Sequence, residues 1–181
     1  MKRALFIGRF QPMHNGHLSA IREILSRYDE VAIIIGSSQE NLTGRNPLTA
    51  GERIEMVYSV LRANRFADKA YVIPVPDTPE SGLWPARVLS YAPKVDAVFT
   101  ANDYTETLFR ICNDSLRGSA HAQIRIENQK VVPGISASAI RKKIIKRDAG
   151  WERMVPKEAV EFIKKNRLDE RIRSLSGAAI G

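Results

Sequence analysis

Short, continuous apolar runs alternate along the chain with stretches whose apolar residues recur at helical spacing. Residues 4–7 (Ala-Leu-Phe-Ile) and 31–36 (Val-Ala-Ile-Ile-Ile-Gly) carry no polar interruption. That is the pattern of strands covered on both faces of a parallel sheet. Between them, Leu18, Ile21, Ile24 and Leu25 fall on one face of a helix expected over about 16–27, with Asn15 as its N-cap. Strand, helix and strand make a βαβ unit with a right-handed crossover. Further strands are expected at 71–75, 95–100 and 122–127; the last alternates and suits a sheet edge.

Thr49 and Glu52 have the spacing of a capping box. They open a helix expected to reach about Asn64, with Ile54, Val57, Val60 and Leu61 inward. Pro156 opens a last amphipathic helix through Asn166, with Val160 and Ile163 inward. The fold class that follows is α/β: a Rossmann-like, doubly wound, five-stranded parallel sheet with helices on both faces. No internal repeat or change of composition divides the chain. Residues 1–167 read as one domain, and the tail 168–181 is expected to be frayed or used in subunit contacts.

Composition narrows this picture. An apolar content of 44% in 181 residues supplies one sizeable core. No apolar run reaches the roughly eighteen residues of a membrane span. The chain also enters its first strand directly, without a leader, so a cytoplasmic protein with no membrane partner is expected. The single cysteine, Cys112, allows no intramolecular disulfide and sits mid-helix, where a packing thiol is the better reading than a nucleophile. Net charge is +8 and the pI about 9.8. Glycine-aromatic basic repeats, zinc-knuckle spacing and a long basic tail are all missing, so nucleic acid is not the expected partner. The charge is assigned instead to recognition of small phosphate ligands and to solvated faces such as Lys142, Lys143, Lys146 and Arg147.

The candidate chemistry lies at two helix starts. His14 and His17 flank the turn from the first strand into the first helix, beside Gly8 and Arg9. Free N–H groups, the helix dipole and two imidazoles suit a polyanion. A third metal ligand is missing nearby, so no metal site is assigned. Near the other end of the chain, Ser136 as N-cap, Ser138 and Arg141 one turn on form a second phosphate cradle. The polar loop 37–47 carries one cation, Arg45, which reads either as solvated or as a bidentate phosphate ligand. Trp84 reads either as core or as a stacking platform for a planar ring. Asn102 reads equally as an N-cap or a ligand contact.

Gly8, Phe10, Pro12, His14, Gly16 and His17 together resemble the G-x-F-x-P-x-H-x-G-H signature of the nucleotidyltransferase superfamily. Gly134 to Arg141 resembles its I-S-S/G-T-x-I/V-R element, with Ala137 in place of serine or glycine and Ser138 in place of threonine. Pro47, Leu48, Thr49 and Arg53 match a stretch that shapes the substrate pocket in the archaeal nicotinamide mononucleotide adenylyltransferases, and Asp77 and Trp84 are spaced like the pair that holds the nicotinamide ring there. The resemblance covers residues 4 to about 162.

It implies adenylyl transfer from ATP to nicotinamide mononucleotide (NMN), with His14, His17 and Arg141 catalytic. It further implies Gly8, Arg9, Phe10, Gly16, Asn102, Ser136 and Ser138 at ATP and its phosphates, and Arg45, Asp77 and Trp84 at NMN. Mg²⁺ is expected with ATP, without dedicated protein ligands, and the assembly is expected to be a homohexamer. Ala101 stands where that family often has glycine. Transfer to phosphopantetheine or flavin mononucleotide, cytidylyl transfer, and a non-catalytic nucleotide- or nucleic-acid-binding module are the competing readings.

Overall fold

The computed structural model describes residues 1–115, 124–130 and 132–177. Five strands, β1 (Arg3–Gly8), β2 (Glu30–Ile35), β3 (Ala70–Pro74), β4 (Ala97–Thr100) and β5 (Arg125–Asn128), form one sheet. Its order is β3-β2-β1-β4-β5, and every pair is parallel. The expected strands are all present, shifted by one or two residues at their ends. Of the strand expected at 122–127, residues 122 and 123 lie outside the described residues, and the described part is the edge strand β5.

Among the described residues, seven α-helices connect and cover the sheet: α1 (Asn15–Leu25), α2 (Ala50–Ala63), α3 (Trp84–Tyr91), α4 (Asp103–Ser115), α5 (Ala137–Ile145), α6 (Lys157–Lys165) and α7 (Leu168–Gly177). Strand residues alternate between two cores, as the period of two requires. Ala4, Phe6, Val31, Ile33, Ile35, Ala97 and Phe99 face α1, α2, α5, α6 and α7. Leu5, Ala32, Ile34 and Val98 face Val88 of α3 and Phe109 of α4. The sheet is therefore doubly wound. The chain runs outward from β1 through β2 to β3, then returns to lay β4 on the other side of β1. The carboxyl ends of β1 and β4 accordingly flank the switch point, where open α/β sheets bind ligands.

Three expectations about helices need correction. The N-cap of α1 is His14, in extended conformation, not Asn15; Asn15 instead donates to the carbonyl of Arg153. The helix opened by Pro156 is not the last, because α7 follows it. Nor are residues 168–177 a frayed tail; residues 178–181 lie outside the described residues. Leu168 and Ile172 are buried in the larger core, and α7 packs against α5 and α6. Its two apolar anchors sit one turn apart among charged neighbours, too sparse a pattern to announce a helix in the sequence. The Thr49–Glu52 capping box is present in both directions, with Glu52 N–H donating to Thr49 Oγ1 and Thr49 N–H to Glu52 Oε2.

Candidate active site

The histidine turn is held by its own backbone. The His14 N–H donates to Nδ1 of His17 at 3.1 Å, and the two rings stack with centroids 3.6 Å apart and 20° between planes. On its other side His17 meets the Phe10 ring at 4.5 Å. Nδ1 of His17 is thus an acceptor, which leaves the proton of the neutral ring on Nε2. That nitrogen lies over Gly8, where an added Cβ would be only 3.4 Å away and would also meet the Phe10 ring at 3.0 Å. Burial lowers the pKa of His14 to about 4. Burial, and next the neighbouring His14, hold that of His17 well below the ordinary value. At neutral pH both rings are uncharged; Nδ1 of His17 is paired, and the buried Nδ1 of His14 has no partner among the described residues.

Phe10 does not offer its ring to a ligand. It is buried in the core, edge-on to Phe6, with its backbone in the left-handed region at φ 52°. Its ring supports His17 rather than contacting phosphate. Gly16 is buried in the first turn of α1; an added Cβ there would sit 3.1 Å from the His14 ring.

The second cradle lies beside this turn. Ser136 caps α5 through the Ala139 N–H at 3.2 Å, and its hydroxyl is 3.1 Å from that of Ser138. Arg141 donates to the carbonyl of Gln11 at 2.8 Å, which joins α5 to the histidine turn across 130 residues of sequence. Burial, then Arg9, then Arg45 lower the pKa of Arg141. Burial and then Arg45 lower that of Arg9, against the opposing pull of Asp77. Three guanidiniums thus converge at the switch point, an arrangement that favours an incoming anion.

A cavity of about 450 Å³ opens beyond Gly8 and Arg9. Of the residues singled out in the sequence, Gly8, Arg9, Arg45, Asp77, Trp84 and Asn102 line it. His14, His17, Phe10, Gly16, Ser136, Ser138 and Arg141 do not. Of these, His17 comes up to the cavity lining at Gly8, and Arg141 is tied to the same turn through the Gln11 carbonyl. The Trp84 indole packs edge-on against Phe109 at 6.4 Å and also lines the cavity, and its Nε1 is buried with no hydrogen-bond partner among the described residues. Asn102 lines the cavity too, and its Oδ1 caps α4 by accepting the Thr105 N–H at 3.0 Å. Among the described residues, no group of three His, Cys, Asp or Glu side chains is placed to hold a metal ion. No helix among them is long and apolar enough to cross a membrane.

Several residues that build the site carried no signal in the sequence. Gln39 brackets Asp77, donating to its Oδ2 at 3.1 Å and accepting its N–H at 3.0 Å. Gln11, buried, pairs its amide with both backbone groups of Leu48. Tyr104, Thr105 and Leu108 of α4 line the far wall of the cavity; their spacing just after Asn102 was the available clue.

Arg53 was legible only as part of the stretch matching the pocket of the resembled family. Its guanidinium is fully buried and donates to the carbonyls of Thr49, Arg9, Gly36, Ser37, Ser38 and Glu40 at 3.0–3.5 Å. Burial, then Arg9, lower its pKa to about 10, and Asp77 opposes them. Ser37, with φ 49°, keeps its uncommon backbone because this cage fixes the carbonyls on either side.

Residues 5–143 match the family described as cytidylyltransferase-like. A nicotinamide-nucleotide adenylyltransferase of Thermococcus onnurineus is 39% identical over 175 residues, covering 97% of this chain and 89% of that protein. One of Pyrococcus furiosus is 40% identical over 178 residues, covering 97% and 90%. Among solved structures, a bifunctional NMN adenylyltransferase/ADP ribose pyrophosphatase from Francisella tularensis, complexed with AMP and a manganese ion, superposes with a TM-score of 0.71. The match covers 99% of this chain and 54% of that one at 19% identity, and so speaks to the fold. With this sheet order, this histidine turn and relatives of that identity over nearly its full length, the chain belongs to the nicotinamide-nucleotide adenylyltransferases of the cytidylyltransferase-like family.

Proposed function

We propose that the protein transfers the adenylyl group of ATP to nicotinamide mononucleotide, giving NAD⁺ and pyrophosphate, a step of NAD biosynthesis. The observation that carries the reading is that Arg9 and Arg45 line one cavity with the Trp84 indole, while Arg141, coupled to both, is tied to the histidine turn through the Gln11 carbonyl. The acceptor phosphate is already a dianion near neutral pH, so its oxygen attacks the α-phosphorus without a general base. The bond from that phosphorus to the bridging oxygen breaks, and pyrophosphate leaves with the electron pair. Catalysis is then positioning and charge stabilisation.

In this reading the neutral His17 donates from Nε2 to an α-phosphoryl oxygen, and His14 lies alongside it. Arg141, Ser136, Ser138 and Arg9 take the departing phosphates at the start of α5, with the free N–H groups around Gly8 and Gly16 adding donors. Arg45 takes the phosphate of the mononucleotide, Asn102 lies at the nucleotide, and Asp77 and Trp84 take the nicotinamide. The divalent cation is assigned as Mg²⁺. Bound with ATP, it would supply neutralisation of the triphosphate charge; no side chain of this chain is assigned to it. A cytoplasmic homohexamer belongs to the same reading, on family resemblance.

The test is pyrophosphate release from ATP and Mg²⁺ with NMN, phosphopantetheine or flavin mononucleotide as acceptor. Release with NMN alone is expected. Release with another acceptor would remove the assignments of Arg45, Asp77 and Trp84, and no release with any would remove the activity.

A further inference from the structure

The loop that carries Arg45 is pinned along its length, and the outermost pins come from α7. Its inner end, residues 36–40, hangs on the Arg53 cage. Its tip is a tight turn, with Thr43 N–H donating to the Asn46 carbonyl at 3.2 Å and Asn46 N–H to Thr43 Oγ1 at 3.0 Å. Its outer end reaches Thr49, the N-cap of α2, whose N–H donates to Glu52 Oε2.

That same carboxylate oxygen accepts Nη1 of Arg171, from α7, at 2.7 Å. The two side chains are only about a quarter exposed (31% and 23%), so solvent screens the pair less than it screens a surface one. The pKa of Glu52 reflects the contact: burial works against its charge, and the Arg171 hydrogen bond and the Thr49 N–H more than offset that, leaving the carboxyl below its ordinary value. The last turn of α7 meets the loop a second time. A Cβ built on Gly44 would lie 3.7 Å from the Leu175 carbonyl oxygen, so the backbone one residue before Arg45 runs along the end of the helix. α7 also packs on α5, which carries Arg141.

We propose that α7 is a strap that fixes where Arg45 points, with Arg171 as the positioning residue acting through Glu52 and Thr49. It rests on the reading of Arg45 as a ligand of the mononucleotide phosphate. A guanidinium set loose by an ångström or so loses bidentate geometry toward phosphate, which weakens that one contact and leaves the triphosphate side untouched.

The test is steady-state kinetics of the full chain with each substrate varied in turn. Arg171→Ala is expected to raise the KM for NMN about five- to tenfold, with kcat and the KM for ATP within about twofold. Arg171→Lys, which keeps a cation facing Glu52, is expected to recover most of the loss. An alanine variant that lowers the thermal midpoint and leaves the KM for NMN unchanged would make the contact merely structural and overturn the proposal, as would a lysine variant no better than alanine. Arg45→Ala separates the two layers. If it leaves the KM for NMN unchanged, the reading of Arg45 fails and takes the strap with it. If it raises that KM while Arg171→Ala does not, the strap alone fails.

Discussion

The backbone N–H of His14 holds Nδ1 of His17 at 3.1 Å, and by doing so decides which nitrogen of His17 carries the proton. A ring free to exchange tautomers would spend part of its time with an acceptor facing phosphate. The helix N-cap removes that option, because the nitrogen facing away from the ligand is already accepting. The Phe10 ring on the other face keeps the imidazole from rotating.

His17→Ala should therefore lower kcat by about 10²- to 10³-fold, the usual cost of one preorganised donor to a transition-state oxygen. The fold should persist, since the lost ring is half-buried at the rim rather than in the core. Single-turnover kinetics beside a thermal melt separate the two effects, and near-normal turnover would exclude His17 from the chemistry.

Stability should fall as the pH drops from neutrality. Below about 6.5 the histidines of the unfolded chain take up protons, whereas folded His14 stays neutral down to about 4. The unfolded state binds more protons through that window, so stability rises with pH across it and is complete above the unfolded value. His14 alone accounts for about 2 kcal/mol between pH 7 and pH 5 by this linkage. Urea titrations at the two pH values should show the loss in the native chain and a smaller one in His14→Gln; equal losses would assign the effect elsewhere. The same burial predicts that the histidines of the free enzyme place no inflection near pH 6.5 in kcat/KM.

Replacing Trp84 by leucine fills space against Phe109 but removes the flat face toward the cavity. Loss of ring stacking is worth about 1–3 kcal/mol, so the KM for NMN should rise about tenfold, with the KM for ATP little changed. Phenylalanine at the same position should retain part of the affinity. Equal KM values in all three proteins would place the nicotinamide away from this wall.

Arg53→Leu should destabilise the protein by about 3 kcal/mol or more. Removing the guanidinium leaves several inward carbonyls without a donor, and each unpaired buried group costs about 1–3 kcal/mol. Equilibrium denaturation measures this directly. A change below about 1 kcal/mol would mean that water replaces the cage without penalty.

The sheet, the histidine turn and the serine-capped helix start were readable in the chain because their signals are local. The runs at 4–7 and 31–36 are apolar without interruption, and the histidine and serine motifs lie within ten residues each. What escaped depends on partners far apart in sequence. Gln39 reads as a polar loop residue until Asp77, 38 residues on, closes against it, and Gln11 reads the same way until Leu48 does. Arg53 is a helix-face cation by pattern and a buried hub in space, a reversal possible only because six carbonyls of two loops and a helix cap surround it. His14 escaped as an N-cap because Asn15 is the better capping residue by propensity; the His17 ring supplied the acceptor that glutamate supplies in an ordinary capping box.

Gly8 lies between the cavity and the histidine turn, and that bears on how such a protein can diverge. Any side chain there would press at once on the Phe10 ring and on the donor nitrogen of His17, so drift toward a new acceptor cannot begin at this residue without loss of turnover. The permissive ground is the cavity lining at Thr78, Ser81, Tyr104 and Thr105. A library randomised at those four positions, with Gly8 fixed, samples new acceptors while inheriting the phosphoryl chemistry intact.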